Sequence, residues 1–238
     1  VPSVHEFGPV EKAGLYAAIY GRRDVRGQFL PDPVPDGLLA RLLDAAHHAG
    51  SVGFMQPWNF VLVRDPAVKV RVKALFDEAN SSAAEVYAGE RRALYRRLKI
   101  QGILEAPVNL CVTCDSTRGG PHVLGRHTIS ATDIYSTCCA IQNLWLAARA
   151  EGLGVGWVSI LTEDGLRGAL GIPPHVIPVA YLCVGYVGNF LPRPELETVG
   201  WRERLPLRDL VFTDRWGEPP SDLFRMLLQQ MEQENHRG

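Results

Sequence analysis

Apolar and polar positions alternate along the chain in two rhythms. Residues 11–21 place Leu15 and Ile19 one helical turn apart and end near Gly21, which predicts a short helix. A proline-rich connector, Phe29-Leu30-Pro31-Asp32-Pro33-Val34-Pro35, separates it from a stronger pattern. There Leu38, Leu39, Leu42, Leu43 and Ala46 form one stripe, with Asp36 as the expected cap and Gly50 as the expected stop. Trp58–Val63 has the two-residue alternation of a strand. Residues 67–79 and 90–103 read as charged helices, and Ala106-Pro107 introduces a strand through Cys114. The longest helical stretch is 131–151. It is apolar on two faces, Ile134, Cys138, Ile141, Trp145 and Ala148 on one and Ala140, Leu144 and Ala147 on the other, so it is expected at the centre of the core. Strands follow at Val155–Ile160 and Val176–Val187 with a short helix between them. An amphipathic helix from about Ser221, striped by Leu223, Met226, Leu227 and Met231, ends the chain.

Helices and strands mix without a βαβ repeat. This predicts an α+β fold with a mixed, mainly antiparallel sheet packed by helices. A single domain is expected over 1–217, with 218–238 as an extension docked on the body or on a second subunit. The 238 residues carry 25 Lys+Arg against 26 Asp+Glu and are 46% hydrophobic, enough to bury a core without staples. A charge of −1 leaves no excess with which to neutralise nucleic-acid phosphates. No apolar run reaches the length of a membrane span, and Val1–Glu6 lacks a secretory signal pattern, so a cytoplasmic protein is expected.

Five cysteines, Cys111, Cys114, Cys138, Cys139 and Cys183, argue against a disulfide framework. Cys111 and Cys114 have C-x-x-C spacing, but on a strand positions i and i+3 face opposite ways, so buried reduced thiols are the better reading. No His pair has metal-ligand spacing, and no metal is expected.

Three stretches carry candidate chemistry. Arg22-Arg23-Asp24-Val25-Arg26 concentrates three guanidiniums around one carboxylate, and Arg202-Glu203-Arg204 forms a second cluster; Arg forks match phosphate oxygens, or they complement a helix end and water. Ser51-Val52-Gly53-Phe54-Met55-Gln56-Pro57-Trp58-Asn59-Phe60 joins a helix end to a strand start. Its Gln and Asn amides both donate and accept, as a flat heterocycle with alternating carbonyls and N–H groups requires. In Gly152-Leu153-Gly154-Val155-Gly156 the glycines follow a helix and enter a strand, the reverse of a dinucleotide fingerprint. They read either as a helix stop and close-packed turn or as backbone approached by a flat ligand.

Taken in order, Arg-Arg-x-x-Arg at 22–26, Ser-x-x-x-x-Gln-Pro-Trp at 51–58, Asn143–Arg149, Gly-x-Gly-Trp at 154–157 and Arg-x-Arg-Leu-Pro-Leu at 202–207 resemble the FMN-dependent nitroreductase superfamily over roughly residues 11–217. Two positions depart from ordinary nitroreductases: Asp24 stands where Ser is usual after the Arg pair, and Phe54 where Asn is common. Both departures resemble the 5,6-dimethylbenzimidazole synthase group.

The resemblance implies a homodimer that takes reduced FMN as a substrate, with O2 as co-substrate, and fragments it to 5,6-dimethylbenzimidazole, the lower ligand of vitamin B12, and erythrose 4-phosphate. A separate flavin reductase would supply the reduced FMN. By motif, Asp24 and Ser159 are catalytic. Arg22, Arg23, Arg26, Arg202 and Arg204 hold the phosphate. Ser51, Gln56 and Asn59 address the ring or ribityl chain, Gly53 and Val25 lie in these binding segments, and Gly156-Trp157 line a flavin face. Such chemistry requires a site closed to water, with the charged segment around 80–104 as a candidate lid. An NAD(P)H-dependent FMN nitroreductase or enone reductase is the alternative on the same scaffold. A non-catalytic FMN-binding protein is a third reading, which Asp24 and Ser159 speak against.

Overall fold

The structure is a computed structural model and describes residues 6–237; the segment Val1–His5, on which much of the export argument rests, and Gly238 lie outside the described residues. The chain forms two compact units, Val1–Pro192 and Arg193–Gly238. The division falls upstream of the expected boundary at Gly217.

The first unit is built on a four-stranded sheet of β1 (Trp58–Val63), β2 (Val108–Asp115), β3 (Leu153–Val158) and β4 (Val176–Tyr186), in the order β1-β2-β4-β3. All three ladders are antiparallel. One isolated parallel bridge, Asp24 to Val155, extends the β3 edge. The helices are α1 (Pro9–Gly21), α2 (Asp36–His47), α3 (Pro66–Glu85), α4 (Gly89–Arg97), α5 (Thr132–Ala150) and α6 (Glu163–Leu170).

The sheet separates two apolar cores. On one face α2 and α5 pack on Leu110, Val112, Val155 and Leu182, with Leu42, Ile141, Leu144 and Trp145 buried between them. On the other, Val72, Phe76 and Leu166 meet Cys111, Val158, Tyr181 and Cys183. α5 is central, as its two apolar faces predicted, and buries nine residues. Strand alternation sends Cys111 into the second core, while Cys114 hydrogen-bonds Thr137 on α5. All five cysteines are free. Burial pushes the Cys111 and Cys183 thiols up to about 12 and Cys114 to about 11, so they stay neutral and inert.

Several boundaries differ from expectation for identifiable reasons. Asp36 does not cap α2. Pro35 occupies the cap position without a side-chain bond, and Asp36, in the first turn, accepts from Arg64 Nη2 at 2.6 Å. α3 runs on to Glu85 behind a true cap, Asp65, which accepts from the Ala67 N–H. α4 stops at Arg97 because Gln101 and Ile103 turn inward, where the Gln101 side chain accepts the Ile103 N–H at 2.7 Å. The second unit contains α7 (Glu195–Thr198) and α8 (Asp222–Arg237). The α8 stripe of Leu223, Met226, Leu227 and Met231 is exposed on this chain.

Candidate active site

The Arg22–Arg26 segment is fixed by backbone. The Val25 N–H donates to Val155 O at 3.0 Å, and the Val25 side chain is buried. This lays Asp24 beside β3. Asp24 Oδ1 accepts the Trp157 N–H at 2.9 Å. Its Oδ2 accepts from Arg26 Nη2 at 2.7 Å and Nε at 3.1 Å. Both carboxylate oxygens are therefore aimed, and charge-assisted bonds of this kind are the strong ones.

The glycines of β3 make this approach possible. A Cβ at Gly156 would strike the carbonyl oxygen of Val25, and one at Gly154 would strike the Val25 and Val187 side chains. The expected turn is confined to Gly152, with φ +77°. Gly154 and Gly156 lie within the strand, and what approaches them is the chain's own 24–25 segment. Ser159 lies one residue beyond β3 and is exposed.

The arginines divide by role. Arg22 stacks its guanidinium over the Trp145 ring, 4.6 Å from the centroid, and Trp145 in turn lies 6.5 Å from Trp157. Arg23 binds backbone carbonyls instead: Tyr20 O and Arg22 O at 2.7 Å, Leu191 O at 2.9 Å, and Pro192 O. Its guanidinium braces the segment. Arg202 and Arg204 lie in the second unit and are exposed.

The Ser51–Asn59 loop belongs to the opposite edge of the sheet. β1 and β3 are three strand steps apart, roughly 14 Å at about 4.8 Å per step, and Asn59 pairs with Thr113 while Trp157 pairs with Leu182. The loop is strained: Gly53, Phe54 and Gln56 have φ of +59°, +52° and +47°, and each residue with a side chain costs about 1–2 kcal/mol there. Ser51 Oγ accepts the Gln56 N–H at 3.2 Å. Asn59 is engaged at both ends of its amide, Nδ2 to Thr113 Oγ1 at 3.3 Å and Oδ1 to Arg118. Residues 123–124 press on Gly53, where a Cβ would meet Leu124 O at 2.7 Å. Behind them opens a cleft of about 680 Å³ lined by His122, Val123, Leu124, Arg126, His127 and Asp133, among others, within the usual size range for a small-molecule site.

One chain thus joins Arg22, Asp24, Val25, Arg26, Gly156 and Trp157 at one edge and Ser51, Gly53, Gln56 and Asn59 at the other. Two residues that hold the loop carry no mark in the sequence: Arg118, and Ser136, whose Oγ accepts the Val52 N–H at 3.1 Å. No local pattern marks Arg118 or Ser136, because the loop groups they hold lie 59 to 84 residues away. Among the described residues no group of His, Cys, Asp and Glu is arranged to hold a metal, and no helix is long and apolar enough to cross a membrane.

This arrangement has relatives. The nitroreductase family profile matches residues 19–186. The chain belongs to the nitroreductase family. A 5,6-dimethylbenzimidazole synthase of Rhodospirillum rubrum is 45% identical over 200 residues, 84% of this chain and 94% of the relative, which sets the chain in the synthase group of that family. Among solved structures, a BluB-like flavoprotein of Clostridium difficile 630 superposes with a TM-score of 0.63 at 19% identity, covering 84% of this chain and 98% of that one. An iodotyrosine deiodinase bound to FMN and 3-iodo-L-tyrosine gives a TM-score of 0.65 at 21% identity, over 84% of this chain and 98% of the other. At these identities the likeness speaks to the fold.

Proposed function

We propose that this chain is a 5,6-dimethylbenzimidazole synthase that takes reduced FMN and O2 and fragments the flavin to 5,6-dimethylbenzimidazole and erythrose 4-phosphate. The observation that carries the reading is Asp24. In a chain 45% identical to a named synthase, a carboxylate stands in the Arg motif and is aimed by the Trp157 N–H and by Arg26.

The residues fit FMN as a substrate. Arg22 and Arg26 supply guanidiniums for the phosphate. The side-chain amide of Gln56 makes no hydrogen bond among the described residues and fits the alternating donors and acceptors of a flavin ring. Reduced flavin brings the electrons that O2 requires. Asp24 accepts protons from ribityl hydroxyls as those bonds break, a general-base task. The Ser159 hydroxyl donates a hydrogen bond that steers breakdown toward product.

We also propose a homodimer. Asp24 and Gln56 lie at opposite sheet edges, so the second copy brings its Ser51–Asn59 loop to the Asp24 edge of the first. Leu15, Tyr16, Ile19 and Tyr20, exposed on α1, and the exposed α8 stripe supply apolar surface for that association. A separate reductase delivers reduced FMN in the cytoplasm.

The test is the organic product. Reduced FMN is added to purified protein in air, and dimethylbenzimidazole and remaining flavin are quantified together. Product matched by flavin loss is expected. Plain reoxidation of the flavin, without dimethylbenzimidazole, removes the proposal.

A further inference from the structure

The loop assigned to ring recognition is tied internally at its start, where the Phe54 N–H donates to Ser51 O at 3.0 Å and the Met55 N–H to Val52 O at 3.3 Å, but its carbonyls at Gln56 and Trp58 are held from outside. Three positive-φ residues lie between Ser51 and Trp58, and two of them, Phe54 and Gln56, carry side chains. Within the loop, Ser51 Oγ ties down the Gln56 N–H. Pro57 offers no N–H of its own, and the carbonyls on either side of it need donors from elsewhere.

Arg118 supplies them. Its Nη1 donates to Gln56 O at 3.0 Å and to Trp58 O at 2.9 Å, and its Nη2 donates to Asn59 Oδ1. A planar fork meets three acceptors spread over four residues, which the single ammonium of a lysine does not match in geometry. Arg118 is itself aimed by a built turn. Asp115 Oδ1 accepts the Thr117 N–H at 2.9 Å and the Thr117 hydroxyl at 2.6 Å, and the Arg118 N–H returns to Asp115 O at 3.2 Å. The Asp115 carboxylate stands 4.0 Å from Arg118 Nη2. The turn is anchored to the loop it serves, because the Asp115 N–H donates to Pro57 O at 2.8 Å.

We infer that Arg118 is a positioning residue: it clamps the carbonyls on both sides of Pro57, holds Gln56 in its left-handed conformation, and so presents the Gln56 side-chain amide to the flavin ring. The link to the ring rests on the function proposed above; the clamp itself rests on the hydrogen bonds. Arg118 acts through the loop and does not touch the phosphate. Its loss therefore weakens ring binding and leaves the preference for a phosphorylated flavin intact.

The experiment compares Arg118→Met and Arg118→Lys with wild type in the full chain. Hydrogen exchange of residues 51–58 is followed without flavin, and dissociation constants are measured for FMN and for riboflavin. In Arg118→Met the loop amides exchange about tenfold faster or more while the sheet is unchanged. Both flavins weaken by the same factor, about tenfold or more, so the FMN-to-riboflavin ratio holds. Arg118→Lys falls between, and it carries the test on the same criteria if the Met variant does not fold. Weakening confined to FMN places Arg118 on the phosphate and overturns the inference. Unchanged loop exchange and unchanged affinities overturn it as well. A wild-type chain that binds neither flavin removes the functional reading and Arg118's part in the reaction with it, whatever the exchange data show.

Discussion

The two halves of the candidate site, at opposite edges of one sheet, are held in place by different physics. The Asp24 edge is positioned by backbone: the Val25 N–H donates to Val155 O, the Val25 side chain is buried, and the Asp24 carboxylate takes an N–H from the neighbouring strand. The Gln56 edge is positioned by side chains arriving from afar, Arg118 on its carbonyls and Ser136 on the Val52 N–H. The first arrangement is rigid and suits a group that must meet a reacting atom. The second holds left-handed residues against their preference and sets the geometry of a ring contact before the ligand arrives, at the mercy of a few long-range side-chain bonds.

The sharpest way to break this comparison is to remove the base and spare its frame. Asp24→Asn keeps size and can still accept the Trp157 N–H, but it cannot take a proton. Product formation should fall by about 10²–10⁴-fold with FMN affinity nearly unchanged. Equal loss of binding and product would make Asp24 a binding group. Gly156→Ala attacks the frame: a Cβ there collides with Val25 O, and relieving it displaces the 24–25 backbone. Such overpacking costs about 1–3 kcal/mol, seen as a lower melting temperature together with lost product. An alanine variant of full stability and activity would show that the edge is not rigid.

Much of this contrast is legible in the sequence, and the rest is hidden for a physical reason. The two apolar faces of 131–151 announced a central helix, and α5 is one. The β3 glycines read as a helix stop and close-packed turn or as backbone approached by a flat ligand, and neither reading named the chain's own Val25 as what lies against them. The Arg motif was visible as a cluster. Its division of labour was not, because Arg23 finds its acceptors at Leu191 and Pro192. Arg118 left no signal at all, since a guanidinium reaching back to Gln56 has no periodicity and no neighbouring motif. Periodicity reports elements, whereas long-range side-chain ties appear only once the fold brings the elements together.

Two further measurements sharpen the comparison. If guanidiniums at the Asp24 edge hold the phosphate, riboflavin should bind at least about tenfold more weakly than FMN, since charge-assisted hydrogen bonds contribute about 1.5–3 kcal/mol each. Equal affinities would refute the clamp. If the halves meet across two copies, Asp24→Asn chains, which bind FMN without forming product, and Gln56→Ala chains, which bind it weakly, should regain product formation when mixed. Random pairing of symmetric dimers restores about a quarter of wild-type sites, one intact site in each mixed dimer. The product assay on the mixture reads this directly, and no recovery would place both halves of the site within one chain.

The smallest expected effect concerns acid and tests how the Gln56 edge is held. The Thr117 hydroxyl, and after it the Thr117 N–H and the Arg118 charge, hold the Asp115 carboxyl below the usual carboxylate range, against the opposing effect of burial. A carboxyl depressed in the folded state contributes stability that is fully present above its unfolded value of about 4 and is lost as pH falls through the lower folded value. The melting temperature of wild type should therefore exceed that of Asp115→Asn at pH 6, and the gap should close as pH drops from about 4 toward 2. Over the same range the amides of 51–58 should exchange faster in wild type once the expected pH dependence of chemical exchange is removed, because Asp115 sets the turn that aims Arg118. A gap that is the same at pH 6 and pH 3 would mean that the Asp115 charge takes no part in holding the turn, leaving its geometry to the backbone bonds at Pro57 O and Asp115 O.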